Sequence, residues 1–414
     1  MMNSEMDSEN VYDVQKFDIT YERADGVYYA EDDVNGNICI VLSSPLRVQE
    51  LRLTFKGRAK WDCPSEAVLQ LNSVHNRSHD ATSEVVFYDK EVVLVDRLPG
   101  KDLTGAFVLS PGSHILPFTF PLPKHVETSF EDKNGTCFLL ASQLLPCSIR
   151  SCDTGFCVLG SIRYFCQAVL SRPWNHDFVT ERPFTVLKKE STLDSNCLDL
   201  LKPVSRNDSE KVTTCCNSGV ISCETSLPKQ LFFPGETVFG SMKVSSDSRC
   251  KLTKLVTRLE QKISYPPRAS GKNAATSNRV VLENDLAKQL GSHSKMDWLN
   301  EKLLVIPSLP PSVKSLTIAS IEYEVQMEFS FAGSTDQVLY LQIPIVVGSV
   351  FCVPPLIELL SSSDGKKSLL SLVPHAGSYR LEDCVFGKTV FEMKNNPSSF
   401  NLVEFVPRYP VIEI

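Results

Sequence analysis

Alternation between apolar and polar positions is the dominant pattern in this chain. Residues 48–61 read VQELRLTFKGRAKW, with Leu51, Leu53 and Phe55 alternating with Arg52, Thr54 and Lys56. A period of two predicts a strand with one face on a core and the other in water. Similar runs recur at 38–42, 84–94, 114–120, 162–170 and 184–187, punctuated by the turn pairs Asp25-Gly26, Asn35-Gly36 and Pro111-Gly112. A second set follows at 218–226, 237–244, 251–263, 316–331 and 338–347. Its clearest member sets Ile321, Tyr323, Val325, Met327 and Phe329 against Glu322, Glu324, Gln326 and Glu328. Many short strands without intervening helices predict sandwiches rather than a parallel α/β sheet. The exception is 268–290, where RASGKNAATSNR predicts a flexible loop over 268–279 and 282–290 a short helix.

The two sets are separated by a polar stretch. The predicted fold is therefore all-β, with two tandem immunoglobulin-like antiparallel β-sandwiches over residues 1–190 and 212–350 and a hinge over 191–211. Beyond residue 350 the regular signal fades. SSSDGKKS at 361–368 and the Pro, Ser and Asn that follow predict a flexible tail over 351–414.

Composition narrows the function classes. With 42% hydrophobic and 22% charged residues the 414-residue chain is globular, and a net charge of −7 opposes non-specific nucleic-acid binding. The first ten residues are polar and acidic, without the apolar core of a signal peptide. The 14 cysteines then read as reduced, small buried hydrophobes, since no CxxC pair occurs. Residues 343–357, the longest apolar stretch, are interrupted by Pro344, Pro354 and Pro355 and are too short to span a bilayer. These features predict a soluble cytoplasmic protein. His75 and His79 lie four apart in a polar stretch, and Cys147, Cys152 and Cys157 have no partner histidine nearby. GxSxG, HExxH, P-loop and GxGxxG patterns are all absent. The expectation is a non-enzyme with no metal and no cofactor.

Several motifs follow one another in a fixed order. Residues 109–123 read LSPGSHILPFTFPLP, followed by Ser129-Phe130-Glu131, GSIRY at 160–164 and Arg172-Pro173-Trp174. The second half carries FPGETV at 233–238, IPSLPPS at 306–312, Ile321-Glu322-Tyr323 and Ile343-Pro344-Ile345. Over residues 17–350 this series resembles the α-arrestins, the metazoan arrestin-domain-containing proteins. The resemblance implies arrestin N and C domains in an adaptor that links membrane cargo (receptors or transporters) to a HECT-type ubiquitin ligase for ubiquitination, endocytosis and sorting. It implies a cytoplasmic protein, peripheral at the plasma membrane and endosomes. A coat-like structural subunit of an endosomal sorting complex is the alternative. Within the motifs, Glu236 is expected to cap neighbouring backbone amides, and Phe118 and Trp174 to lie in the core. Residues 136–159 interrupt the family's pattern between Gly135 and Gly160, as a lineage-specific loop or retained intron sequence.

Two surface features carry partner expectations. The family's tails present PPxY motifs to WW domains, where prolines pre-form a polyproline II ridge and the tyrosine fills an aromatic pocket. Here GSYRLEDCVFG at 377–387 resembles the family's tail segment but lacks the prolines before Tyr379. FVPRYP at 405–410 resembles its extreme C-terminus, and Val406, Pro407, Arg408 and Tyr409 form a one-proline WW-type ligand for the ligase. Arg52, Lys56, Arg58 and Lys60 form a basic stripe on one strand face, able to attract anionic lipid or acidic cargo tails.

Overall fold

A computed structural model describes residues 14–62, 82–94, 106–133, 158–189, 197–214, 217–266, 275–286, 294–314, 318–332, 337–362, 367–375, 377–387, 389–390 and 404–413. Most of the interrupting segment 136–159, together with His75, His79, Cys147, Cys152 and Cys157, lies outside them. The chain divides into two compact units. One comprises Met1–Lys133, Val158–Lys189 and Phe386–Pro407; the other comprises Asn134–Cys157, Glu190–Val385 and Arg408–Ile414.

The first unit begins with β1 (Val14–Tyr21), β2 (Val27–Tyr29), β3 (Asp33–Leu42), β4 (Leu46–Val48), β5 (Glu50–Asp62) and β6 (Thr82–Val93). It continues through β7 (Phe107–Leu109), β8 (Gly112–Pro121), β9 (Phe130–Lys133), β10 (Val158–Ser171) and β11 (Phe178–Leu187). One sheet has the order β1-β3-β8; a larger one has β2-β11-β10-β5-β6, with β9 also paired to β10. Aromatic rings from the two sheets meet between them. Phe55 stacks on Phe120 at 3.7 Å, and Tyr21 meets Phe184 edge-on at 5.4 Å. Phe118 is buried as expected, but Asn35-Gly36 lies inside β3 rather than in a turn. A Cβ at Gly36 would overlap Thr20 O and sit 2.6 Å from Phe118 Cζ, so the small residue admits the aromatic ring.

Two family motifs clasp each other here. Buried Glu131 forms an ion pair with Arg163 through both guanidinium Nε and Nη2, the latter at 2.8 Å. The adjacent Tyr164 hydroxyl donates to Glu127 O at 2.8 Å and accepts from Glu127 N at 3.0 Å. The SFE and SIRY segments are thus scaffold, holding β9 and the preceding loop on β10.

The second unit contains β12 (Val204–Thr214), β13 (Asn217–Leu227), β14 (Leu231–Phe232), β15 (Thr237–Ser246), β16 (Lys251–Tyr265) and β17 (Ala275–Asp285). Next come β18 (Ser294–Val305), β19 (Val313–Lys314), β20 (Ser320–Ala332) and β21 (Gln337–Val347). Their sheets run β12-β13-β15-β18 and β14-β21-β20-β16-β17. The alternation read in β20 is real: Ile321, Tyr323, Val325, Met327 and Phe329 are all buried. Two expectations are corrected. Residues 204–211 are strand β12 rather than hinge, because a polar segment pairs along its whole length with β13. Residues 275–285 are strand β17 rather than loop and helix, paired antiparallel with β16.

The described parts of the region expected as a flexible tail are also built into the fold. Helices α1 (Val353–Ser361) and α2 (Lys367–Leu370) and strand β22 (Tyr379–Asp383) belong to the second unit. A short pair, β23 (Thr389–Val390) with β24 (Glu404–Phe405), belongs to the first. Strand β25 (Arg408–Ile412) closes on β22. Leu356, Leu360 and Val373 pack with Phe233 and Ile412 in a compact apolar cluster, which gives the segment the buried surface that composition did not advertise. Among the described residues no helix is long and apolar enough to cross a membrane.

Candidate functional site

The motifs of the second half converge on one place. In the turn 233–236, Pro234-Gly235 reverses the chain, and the Glu236 N–H donates to Phe233 O at 2.9 Å. The Glu236 carboxylate folds back and accepts the Phe233 N–H at 3.1 Å, the capping role expected of it. It also pairs with Lys229, whose ammonium donates to Leu372 O as well. Both side chains are largely buried. Burial pushes the Glu236 carboxyl up and the Lys229 ammonium down, each opposed by the partner's charge.

This turn is the floor of a slot that holds β25. Gly235 adopts φ +95°, and its N–H donates to Ile306 O at 2.8 Å. A Cβ there would overlap Ile412 O and lie 2.9 Å from Val411 Cγ1, so glycine is required by both conformation and contact. Ile412 N–H donates to Pro234 O at 2.8 Å, and Glu413 N–H to Ser378 O at 3.1 Å. Along β22 the register sets Tyr379 opposite Ile412 and Glu382 opposite Tyr409. The Ser308 hydroxyl lies 3.0 Å from Glu382 O and 3.5 Å from Tyr409 O, placing its single proton between the two strands. At the strand's start Arg408 Nε meets Asp383 Oδ1 at 2.8 Å.

Behind the slot runs a buried polar relay. Arg279 Nε donates to Gln261 Oε1 at 2.7 Å, Gln261 Nε2 to the Tyr323 hydroxyl at 2.7 Å, and that hydroxyl to Pro310 O at 2.8 Å. Burial raises the Tyr323 phenol well above its ordinary range, so it remains a donor at any physiological pH. The IPSLPPS segment is thereby fixed from beneath by the IEY motif. The arrangement holds one extended segment of the chain, Arg408–Ile412, by backbone pairing with β22.

The structure places the four WW-type residues differently from the expectation. Val406 and Arg408 are half-buried, while Pro407 and Tyr409 are buried. Tyr409 is 1% exposed, inside β25, where every residue from Tyr409 to Ile412 is buried. A WW ligand must offer its tyrosine from an accessible polyproline II segment; this one is an extended strand facing its own domain. Tyr379, without prolines before it, is the exposed tail tyrosine, at 43%.

The basic stripe lies on one face of β5, yet it is not a free cationic surface. Arg52 pairs with Glu50 at 2.9 Å and with Glu91 at 3.3 Å. Lys56 Nζ lies 3.5 Å from Gln167 Oε1, and the Arg58 guanidinium lies 4.8 Å from the Phe165 ring centroid. Phe165, opposite Lys56 in register, is covered by Phe405. Lys60 is the exposed member of the four. Trp174 departs furthest from expectation: it is fully exposed at the turn between β10 and β11 instead of lying in the core.

Comparison with known proteins gives these features their context. The family described as "Arrestin (or S-antigen), N-terminal domain" matches residues 17–192, and "Arrestin (or S-antigen), C-terminal domain" matches 217–352. Arrestin domain-containing protein 17 of Caenorhabditis elegans is 29% identical over 84% of this chain and 73% of its own length. Arrestin domain-containing protein 4 of Mus musculus is 26% identical over 80% of this chain and 70% of its own. Arrestin domain-containing protein 5 of Homo sapiens is 21% identical over 82% and 89%, respectively. The two ordered domain matches, the relatives and the all-β two-unit fold agree, and this chain belongs to the α-arrestins, the arrestin-domain-containing proteins.

Proposed function

We propose that this α-arrestin is an adaptor linking membrane cargo (the cytoplasmic tails or loops of receptors or transporters) to a WW-domain HECT-type ubiquitin ligase. The ligase would ubiquitinate the cargo, leading to endocytosis and sorting, and the adaptor would work in the cytoplasm, peripheral at the plasma membrane and endosomes. The observation that carries this reading is β25. Arg408 and Tyr409, the second half of the WW-type motif, are held by the backbone pairing of β25 with β22, a mode of binding that exchanges one extended peptide for another. Ligase engagement then requires β25 to leave its slot, because Tyr409 is buried while docked.

The test is capture of the full chain on a WW-domain array, comparing wild type, Gly235→Val and Gly235→Val/Tyr409→Ala. The side chain at 235 overlaps Ile412 O and displaces β25. Capture should rise in the single variant and vanish in the double one. Absence of any Tyr409-dependent capture in either background rejects the ligase arm.

The burial of Tyr409 also favours a second reading, a coat-like structural subunit in which the C-terminus completes a domain and recruits nothing. Co-purification separates the two. A stoichiometric, salt-resistant partner supports the coat; weak capture of ligase and cargo supports the adaptor.

A further inference from the structure

Trp174 occupies the tip of the six-residue turn 172–177 and has a relative exposure of 103%, whereas Trp61 and Trp298 are buried at 6% and 8%. Its φ of +62° is one that bulky residues rarely adopt. Such strain persists only where the surroundings impose it. They do so through Arg172, which is buried and donates from Nε to His176 O at 2.9 Å and from Nη2 to the same carbonyl. The Arg172 guanidinium also lies 3.9 Å from the Phe178 ring centroid. The turn is closed from beneath, and the indole is presented outward on a fixed base.

Other apolar side chains stand at the same end of the sheet. The Gln49 N–H donates to Ser171 O at 2.8 Å, bringing the β4–β5 corner against the turn. Val108, opposite Arg47, is 42% exposed, and Val93, opposite Arg52, is 47% exposed.

We infer that this end of the first unit docks on a phospholipid bilayer, with the Trp174 indole seated at head-group depth. Tryptophan favours that layer because its ring is apolar while its N–H stays near polar groups. Here Asn175 and His176, the next two residues, are exposed and polar, so they remain hydrated while one ring inserts. Arg52 at this end is already paired with Glu50 and Glu91, so the indole rather than that cation carries the attachment. The inference does not depend on ligase recruitment, and either can fail alone.

The test uses the full chain with vesicles of pure phosphatidylcholine and of phosphatidylcholine mixed with phosphatidylserine. Because the other two tryptophans are buried, a blue shift of emission on adding vesicles, with quenching by brominated lipid, reports Trp174. Sedimentation with vesicles should fall at least about tenfold in Trp174→Asn, given the area of one indole. Asparagine tolerates the positive φ, so the fold is retained. Trp174→Phe should keep part of the binding, and neither salt nor phosphatidylserine should change it much. An unshifted emission, wild-type sedimentation of Trp174→Asn, or binding that collapses in salt would each overturn the inference.

Discussion

The backbone N–H of Ile412 donates to the carbonyl of Pro234 at 2.8 Å, joining the end of the chain to the turn that carries the FPGE motif. That bond makes residues 408–412 a strand of the second unit rather than a tail. It also explains why motifs scattered from 233 to 410 occur together: FPGE, IPSLPPS, the Tyr379 segment and the C-terminal RYP build one slot and its occupant.

Gly235 is the most sensitive point of that slot. Gly235→Val adds a side chain where φ is +95° and where Ile412 O and Val411 Cγ1 leave no room. A loss of about 2 kcal/mol is expected, with β25 displaced. Limited proteolysis should then cleave the C-terminal residues faster than in wild type.

The two tail tyrosines should behave oppositely. Tyr409→Ala empties a buried position and should cost about 3 kcal/mol in urea unfolding. Tyr379→Ala, at an exposed position, should stay within about 0.5 kcal/mol. Equal costs would contradict the docked register.

The Lys229–Glu236 pair should show strong coupling. Removing either charge leaves the other buried without its partner, so Lys229→Met or Glu236→Gln alone should cost about 3–5 kcal/mol. Lys229→Met/Glu236→Gln should cost far less than the sum of the two, as a double-mutant cycle will show.

Asp32 should contribute to acid sensitivity in the first unit. Burial, the largest influence, would raise its pKa. The Tyr29 N–H, Lys189 and Arg23 outweigh it, and the carboxyl is held below its ordinary value. A depressed folded pKa means the contribution is complete above the unfolded value, about 4, and is lost as pH falls through the folded one. Asp32→Asn should therefore flatten the stability profile below about pH 4 while lowering stability at neutral pH.

Much of the fold was legible because strict alternation survives wherever one face meets core and the other water, as in β5 and β20. Strands β12 and β17 were not. Val204–Thr214 is mostly polar, and β17 exposes Val280 and Leu282, so neither shows a clean period; only pairing with β13 and β16 makes them strands. The C-terminal slot was legible as motifs but not as a site, since residues 74 to 177 positions apart meet only through tertiary contacts such as Ser308 with Glu382 and Gly235 with Ile412. The apolar run from Tyr409 to Ile412 was the available clue, masked by its likeness to a WW ligand. Trp174 was misplaced because hydrophobicity alone predicts burial, although the RPWNHD context is that of a turn.

Hydrogen exchange of the backbone amides of residues 408–413 in the full-length protein tests the central claim most directly. Docking predicts slow exchange of the Ile412 and Glu413 amides, with protection lost in Gly235→Val. Exchange at the rate of an unstructured chain in the wild type would contradict it, and would return the C-terminus to the status of a free tail.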